Sequence, residues 1–418
     1  MEGSDLEKKN NLLITIGAAA VALIFIIVLA FGLFGNNHSP SDTPTTTYEA
    51  EPLTPQEPSS PILSNNIVTL SFIGDCIIGS DSGEVRSGNF SWYAENKSHD
   101  YFFSKVYEEL SKDSLTFANV ECVLSDRNLE KTPKDYDPAF WFIAPAENAD
   151  ILSLGSVEVA GLANNHTRDY GTAGYDDTKK ALEAQNITVG EDCVPLYFEE
   201  SGLKIGVVYA HLWSEYHLSY VEDALREMED KCDYRVVFFH GGEEGVHEPD
   251  NYKITCCRKL AEEGLCDLIV GSHPHVLQPM EVVNGVPIVY SLGNFCYSGS
   301  NYPENRTIIF QVLLTQMEGE IHTSVRIIPC NVYTGDRNNW QPAIITNPQE
   351  KNDIIEFMNT PVDYKEETEP STESTATEET TEAEEETYSY EEPPAPGYEE
   401  APTEYEEGYS PENEFIYE

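Results

Sequence analysis

Positive charge is what this chain has least of. Only 24 of its 418 residues are Lys or Arg, against 74 Asp and Glu, for a formal net charge of −50. A protein of that sign repels nucleic acid, so nucleic-acid binding is excluded, and a polyanionic partner would need bridging cations. The deficit is uneven. From Glu366 to Glu418 there are 20 Glu and no Asp, Lys or Arg. Residues 363–418 are otherwise mostly Thr, Pro, Ser and Tyr, cannot bury a core, and read as a disordered acidic tail. Paired cysteines are also missing. The nine Cys are scattered from Cys76 to Cys330 with no CxxC spacing, which argues against a zinc ribbon or a thioredoxin-type site. Several sit in apolar runs such as Val120 to Leu124 and read as small core residues. An odd number outside the cytoplasm leaves at least one thiol free or intermolecular.

One segment has no charge at all. Leu12 to Phe34 is 23 residues without a charged residue or a proline. At a rise of 1.5 Å per residue it would reach about 35 Å, enough for a hydrocarbon core of about 30 Å. It is too long for the apolar region of a cleavable signal peptide, roughly 7–15 residues. Lys8 and Lys9 precede it, and the 50 residues after it carry no Lys or Arg. The expectation is a cytoplasmic N-terminus (1–11), one transmembrane helix (12–34) and an extracytoplasmic remainder, hence a single-pass cell-membrane protein. Residues 35–64, with Pro40, Pro44, Pro52, Pro55, Pro58 and Pro61, read as a stiffened spacer.

The folded domain is expected over 65–345. Short β-branched runs there alternate with amphipathic stretches. Expected strands include 67–73, 115–119, 157–162, 204–209, 235–239, 268–270, 287–291, 306–314 and 323–328. Expected helices are 101–110, 146–154, 175–185 and 252–263. The alternation predicts an α/β fold, and the successive last strands predict an antiparallel finish.

Five polar clusters follow these strands, where α/β sheets bind ligands. They are Gly74-Asp75-Cys76, Asn119-Val120-Glu121, Asn164-Asn165-His166 with Asp169-Tyr170-Gly171, His240-Gly241-Gly242-Glu243-Glu244, and His273-Pro274-His275. In the first, glycine is expected to let the backbone turn and set a carboxylate at the sheet edge. In the third, amide oxygens can bind metal and the histidine can donate a proton. In the fifth, two imidazoles with a proline between them form a chelating pair. Mixed carboxylate, amide and imidazole donors suit divalent Mn, Zn or Fe. Two such ions would clamp a phosphoryl-type transition state.

In this order the motifs resemble the CapA-type family of poly-γ-glutamate capsule synthesis, over residues 67 to about 330. The Asn-Asn-His and His-Pro-His blocks are the most specific, joined by Phe72-Ile73-Gly74-Asp75, His240-Gly241 and Tyr290-Ser291-Leu292-Gly293-Asn294-Phe295. The resemblance implies a four-layer α-β-β-α metallophosphatase-like sandwich with the clusters at one edge. It implies metal ligands Asp75, Glu121, Asn165, His240, His273 and His275, with His166 as the catalytic proton donor or transition-state stabiliser. Asn119, Asn164 and Asn294 would contact substrate or support the ligands. Two functions are expected to compete, beside a blander surface adhesion or scaffold role for a protein that displays its acidic tail. One is a divalent-metal hydrolase or transferase acting on poly-γ-glutamate, another anionic envelope polymer or its phosphorylated carrier. The other is a non-catalytic anchoring or export component beside membrane synthase subunits.

Overall fold

The computed structural model describes residues 67–317 and 319–364. The expected membrane span, the spacer and nearly all of the tail lie outside the described residues. Among those described, no helix is long and apolar enough to cross a membrane.

The first half of the chain alternates strand and helix. It runs β1 (Ile67–Ile77), β2 (Ser80–Asp81), α1 (Phe90–Asn96), α2 (Tyr107–Leu110), β3 (Leu115–Val120), β4 (Val123–Leu124), β5 (Phe142–Ala144), α3 (Ala149–Leu154), β6 (Val159–Gly161) and α4 (Gly171–Ala184). Next come β7 (Thr188–Gly190), β8 (Leu196–Glu200), β9 (Leu203–His211), α5 (Leu218–Met228), β10 (Tyr234–His240), α6 (Asn251–Glu262) and β11 (Leu268–Ser272). The chain then turns largely to strand with β12 (Leu277–Val283), β13 (Val286–Leu292), β14 (Asn294–Tyr297), β15 (Thr307–Met317), β16 (Glu320–Asn331) and β17 (Ala343–Ile344). Helix α7 (Pro348–Met358) follows.

Two large sheets form the middle of the domain. The first is ordered β17-β16-β15-β1-β3-β6-β7, with β14 paired to β1 beyond the β1 bulge. The second is ordered β12-β13-β11-β10-β9-β8, and a small third sheet is β2-β5-β4. Central strands β1, β3, β10 and β11 are largely buried on both faces, because helices or the other sheet cover each side. Phe72, Phe117 and Val159 of the first sheet meet Tyr209, Phe238 and Val270 of the second in one core. The outer face of the first sheet packs on Phe102, Ile151 and Leu182, and that of the second on Val221, Leu225, Ile254 and Leu260. The order of layers is therefore α-β-β-α. Helix α5 illustrates the cause: Leu218, Val221, Leu225 and Met228 recur at helical spacing and are its buried stripe. The antiparallel finish is present as β15–β16 and β16–β17.

One expected helix is not formed. Residues 101–110 make only a 3-10 turn at His99–Tyr101 and the single turn α2. The Tyr101 carbonyl is occupied by Ser104 Oγ at 2.9 Å and by Gln341 Nε2 at 2.9 Å, so it does not serve the amide four residues on. All nine cysteines are free thiols, seven of them buried, and Cys193 and Cys232 partly so.

Candidate functional site

Strand β1 does not stop at the first cluster. It continues to Ile77 through a bulge between Phe72 and Asp75. Gly74 serves close approach here: a Cβ on it would lie 1.9 Å from the Gly293 carbonyl oxygen. That carbonyl also accepts from the Asp75 amide at 2.9 Å. The registers then align Asn294, Asp75, Asn119 and Gly161 across β14, β1, β3 and β6. In the second sheet His211, His240 and Ser272 are aligned across β9, β10 and β11.

Side chains tie these two rows together. Asn119 Nδ2 donates to Asp75 Oδ1 at 2.8 Å and to Glu121 Oε1 at 2.7 Å. His240 Nδ1 lies 3.2 Å from that Glu121 oxygen, and its Nε2 faces Asn165 Oδ1 at 2.9 Å. The His273 amide donates to Asp75 Oδ2 at 3.2 Å, and His275 Nδ1 lies 3.1 Å from the same oxygen. All six expected ligands are thus brought to one place. Asn294 Nδ2 donates to the His275 carbonyl at 2.7 Å, fixing the backbone of the pair. Asn119 and Asn164 brace rather than face outward. Asn164 donates to Asn119 Oδ1 and to the Val120 carbonyl and accepts from the His166 amide and Thr167 Oγ1, so its amide group is fully engaged.

His273 and His275 both adopt left-handed backbone, with φ of 96° and 59°. For residues with a Cβ that costs about 1–3 kcal/mol each, and such strain gathers at functional sites. Pro274 between them completes a reversal that sets the two rings 5.7 Å apart. Trp213 stands perpendicular to His273 and His240 at 4.6 and 5.5 Å, and Tyr297 covers His275 at 4.7 Å.

Two groups of donors could hold a cation: Asp75, Glu121 and His275, and Glu244, His273 and His275, each with ligand atoms within 4.8 Å of one another. The local chemistry fits a divalent ion. His273 Nδ1, His275 Nδ1, Glu121 Oε2 and Asn294 Oδ1 are buried without a hydrogen-bond partner, and a buried polar atom left so costs about 1–3 kcal/mol. Donors that share an ion at about 2.1 Å stand about 3 Å apart, which is the separation of His275 Nδ1 and Asp75 Oδ2. Burial, and then the neighbouring imidazoles, push the His240 pKa well down; burial with His275 pushes that of His273 to about 3. Both rings are therefore neutral, as ligands must be. Burial would raise Asp75, but His275 and the Asn119 bond outweigh it and hold the carboxyl below its usual range. Burial and the Asp75 charge push Glu121 up, and Asp75 raises His275 against the effect of burial.

His166 sits beside this group on a turn. Its Nδ1 contacts Asp169 Oδ2 at 2.8 Å, an oxygen that also accepts from the Phe142 amide at 2.8 Å. Asp169 Oδ1 lies 2.6 Å from Lys134 Nζ, an ionic contact off the hydrogen-bond axis. A cavity of about 630 Å³ that includes Ser82, Arg127, Lys131, Ile143 and Tyr170 in its lining shares strand β5 and this turn, but contains none of the candidate ligands.

Four residues escaped the sequence reading. Glu244 and Asp169 stand inside quoted motifs, yet nothing distinguishes Glu244 from Glu243, and only the i+3 spacing from His166 hints at Asp169. Lys134 lies in the long β4–β5 connection and Lys253 inside α6, and neither position carries a periodic signal.

The chain is thus a layered α-β-β-α protein with a buried carboxylate–imidazole cluster at the strand ends. A family model described as bacterial capsule synthesis protein PGA_cap matches residues 69–298, more than half of the chain, and the chain belongs to that family. It is similar to the PGA biosynthesis protein CapA of Bacillus subtilis (strain 168), 26% identical over 319 residues covering 70% of this chain and 74% of that one. It is similar also to the capsule biosynthesis protein CapA of Bacillus anthracis, 26% identical over 320 residues covering 69% and 72%. Among solved structures, a hypothetical protein from Thermus thermophilus aligns over 63% of this chain and 99% of its own, at 14% identity and a TM-score of 0.40.

Proposed function

We propose that this protein is a membrane-anchored, extracytoplasmic component of capsule or envelope polymer synthesis that carries a divalent-metal hydrolase-type site. The observation that carries this reading is the convergence of Asp75, Glu121, Asn165, His240, His273 and His275, with Glu121 and His273 presenting unpartnered buried donor atoms. The capsule role draws on family membership and on the names of the Bacillus relatives. The anchor and outward orientation draw on the apolar run 12–34 and the lysines before it.

Mn²⁺, Zn²⁺ or Fe²⁺ held by these residues would supply a nucleophilic hydroxide and neutralise developing negative charge. The protein's own part is order and proton transfer. Asn119 fixes the Asp75 and Glu121 carboxylates. Asp169 holds the Nδ1 side of His166, which leaves Nε2 to carry a proton for a leaving oxygen or nitrogen. Trp213 and Tyr297 flank the histidines and restrict water.

The test is turnover of model phosphoesters and of poly-γ-glutamate by the purified full chain, with and without each metal. Metal-dependent turnover that falls at least about 100-fold in His166→Ala is expected, the scale of general acid catalysis. Absence of turnover with every metal sinks the hydrolase and favours the anchoring or export reading, to which the relatives' names are equally suited.

A further inference from the structure

The segment after β10, residues 241–250, is laced to the His-Pro-His segment by a row of bonds. The Gly245 amide donates to the Pro274 carbonyl at 2.8 Å, and His247 Nδ1 to the Leu277 carbonyl at 2.9 Å. Gln278 Nε2 donates to the carbonyls of Val246 at 2.8 Å and Glu248 at 3.3 Å. At the root of this row Gln278 Oε1 accepts from Lys253 Nζ at 2.6 Å. Lys253 is fully buried, with Asp250 Oδ2 at 3.9 Å and the Phe239 ring 5.7 Å away. Glu244, at the apex of the segment, is exposed, yet its carboxylate falls within 4.8 Å of the donor atoms of His273 and His275. His273 Nδ1 is buried and unpartnered beside it. Gly242 is required by the same arrangement: its φ is +120°, and a Cβ would stand 2.6 Å from Lys253 Nζ.

We propose that Glu244 is a further metal ligand, delivered by this loop, and that Lys253 and Gln278 are positioning residues that hold the loop so that Glu244 meets His273 and His275. The inference rests on the metal-site reading above. A buried ammonium needs a partner. Gln278 gives it one acceptor and turns its own amide toward the loop, so the cation beneath the site fixes a carboxylate above it. The ligand sits on an exposed loop while its anchor is in the core, and the group with His273 and His275 is the one that opens if the anchor fails.

The experiment is competition titration of Zn²⁺ and Mn²⁺, with stoichiometry by elemental analysis, on the full chain and on Glu244→Gln, Lys253→Met, Gln278→Leu and the neighbouring control Glu243→Gln. Glu244→Gln, an exposed change that leaves the fold intact, is expected to weaken one class of bound metal by 10- to 100-fold, and Glu243→Gln to leave it unchanged. Lys253→Met and Gln278→Leu should each weaken the same class about tenfold, the usual effect of residues that orient ligands. In the Glu244→Gln background they should cost nothing more, whereas a merely structural role would add. Metal binding by the wild type that Glu244→Gln leaves intact overturns this inference alone. A wild type that binds no metal, with His273→Ala as its match, overturns the metal-site reading and this inference with it. Additive losses in the double variants overturn the positioning role and leave Glu244 as ligand.

Discussion

Replacing Asp169 by Asn would measure how firmly His166 is aimed. The Asp169 side chain is completely buried and meets Lys134 Nζ at 2.6 Å, the Phe142 amide at 2.8 Å and His166 Nδ1 at 2.8 Å. Lys134 itself is only 9% exposed. An asparagine keeps the volume and one acceptor for Phe142, but it strips the Lys134 ammonium of its counter-charge in a place water hardly reaches. Breaking a buried pair in this way costs about 3–5 kcal/mol, against about 0–1 for an exposed one. With a urea m-value of about 3 kcal/mol/M, the unfolding midpoint should fall by about 1–1.7 M. Lys134→Met alone leaves Asp169 with His166 and the Phe142 amide and should cost about 1–3 kcal/mol. The two changes together should cost less than their sum, because the second removes the charge that the first leaves stranded. Urea unfolding of the four proteins, followed by circular dichroism, closes the cycle. A loss below about 1 kcal/mol for Asp169→Asn, or strict additivity, would show a solvent-screened pair that does not orient His166.

Acid should remove the contribution of two buried histidines to the stability of the metal-free protein in a defined window. His240 and His273 are held low by burial, the latter at about 3, whereas both titrate near 6.5 once unfolded. Their contribution is complete above pH 6.5 and is lost as pH falls towards 3, at up to about 1.4 kcal/mol per pH unit each. Glu121, raised by burial and by Asp75, acts in the opposite sense, as do the carboxyls of Glu158 and Asp113, which burial pushes up to about 7 and about 6. The melting temperature of the wild type should therefore fall relative to that of His273→Gln between about pH 7.5 and 4.5, and a constant difference would contradict the buried neutral ring. Trp213 offers an optical test of ion binding, since its ring lies 4.6 Å from that of His273 and perpendicular to it. Zn²⁺ titrated into metal-free protein should change tryptophan emission, and Trp213→Phe should abolish the change; a response that survives places the ion elsewhere.

Much of the fold was legible because its strands are short, β-branched and bounded by turns. The expectations at 204–209, 235–239 and 287–291 each fall inside an observed strand. What stayed hidden was short or apolar without period, such as β4 and β5, whose two and three residues carry no alternation to read. Helix α1 was missed although Asn89 caps it, its Oδ1 accepting from the Trp92 amide at 3.0 Å. Helix α7 was missed although Asn347 and Pro348 mark its start, because nothing before the fold predicted that an extra helix would close the inter-sheet core with Ile354 and Met358.

The site divides along the same line, and the division has a physical cause. Asp75, Asn119 and Asn294 occupy one row of paired strands, so their meeting follows from strand order once the sheet exists. His240 and Ser272 form the facing row in the second sheet. A motif at the end of a buried strand announces its position through the apolar run before it. Lys134, Glu244 and Lys253 have no such announcement, because two are on connections and one is a lysine within a helix that sequence alone would turn to solvent. Yet these three settle the electrostatics of a chain with a net charge of −50. Lys134 neutralises the carboxylate behind His166, and Lys253 supports the loop that brings a further carboxylate to the histidines. Two of this protein's scarce cations are thus spent inside, behind the acids of the site.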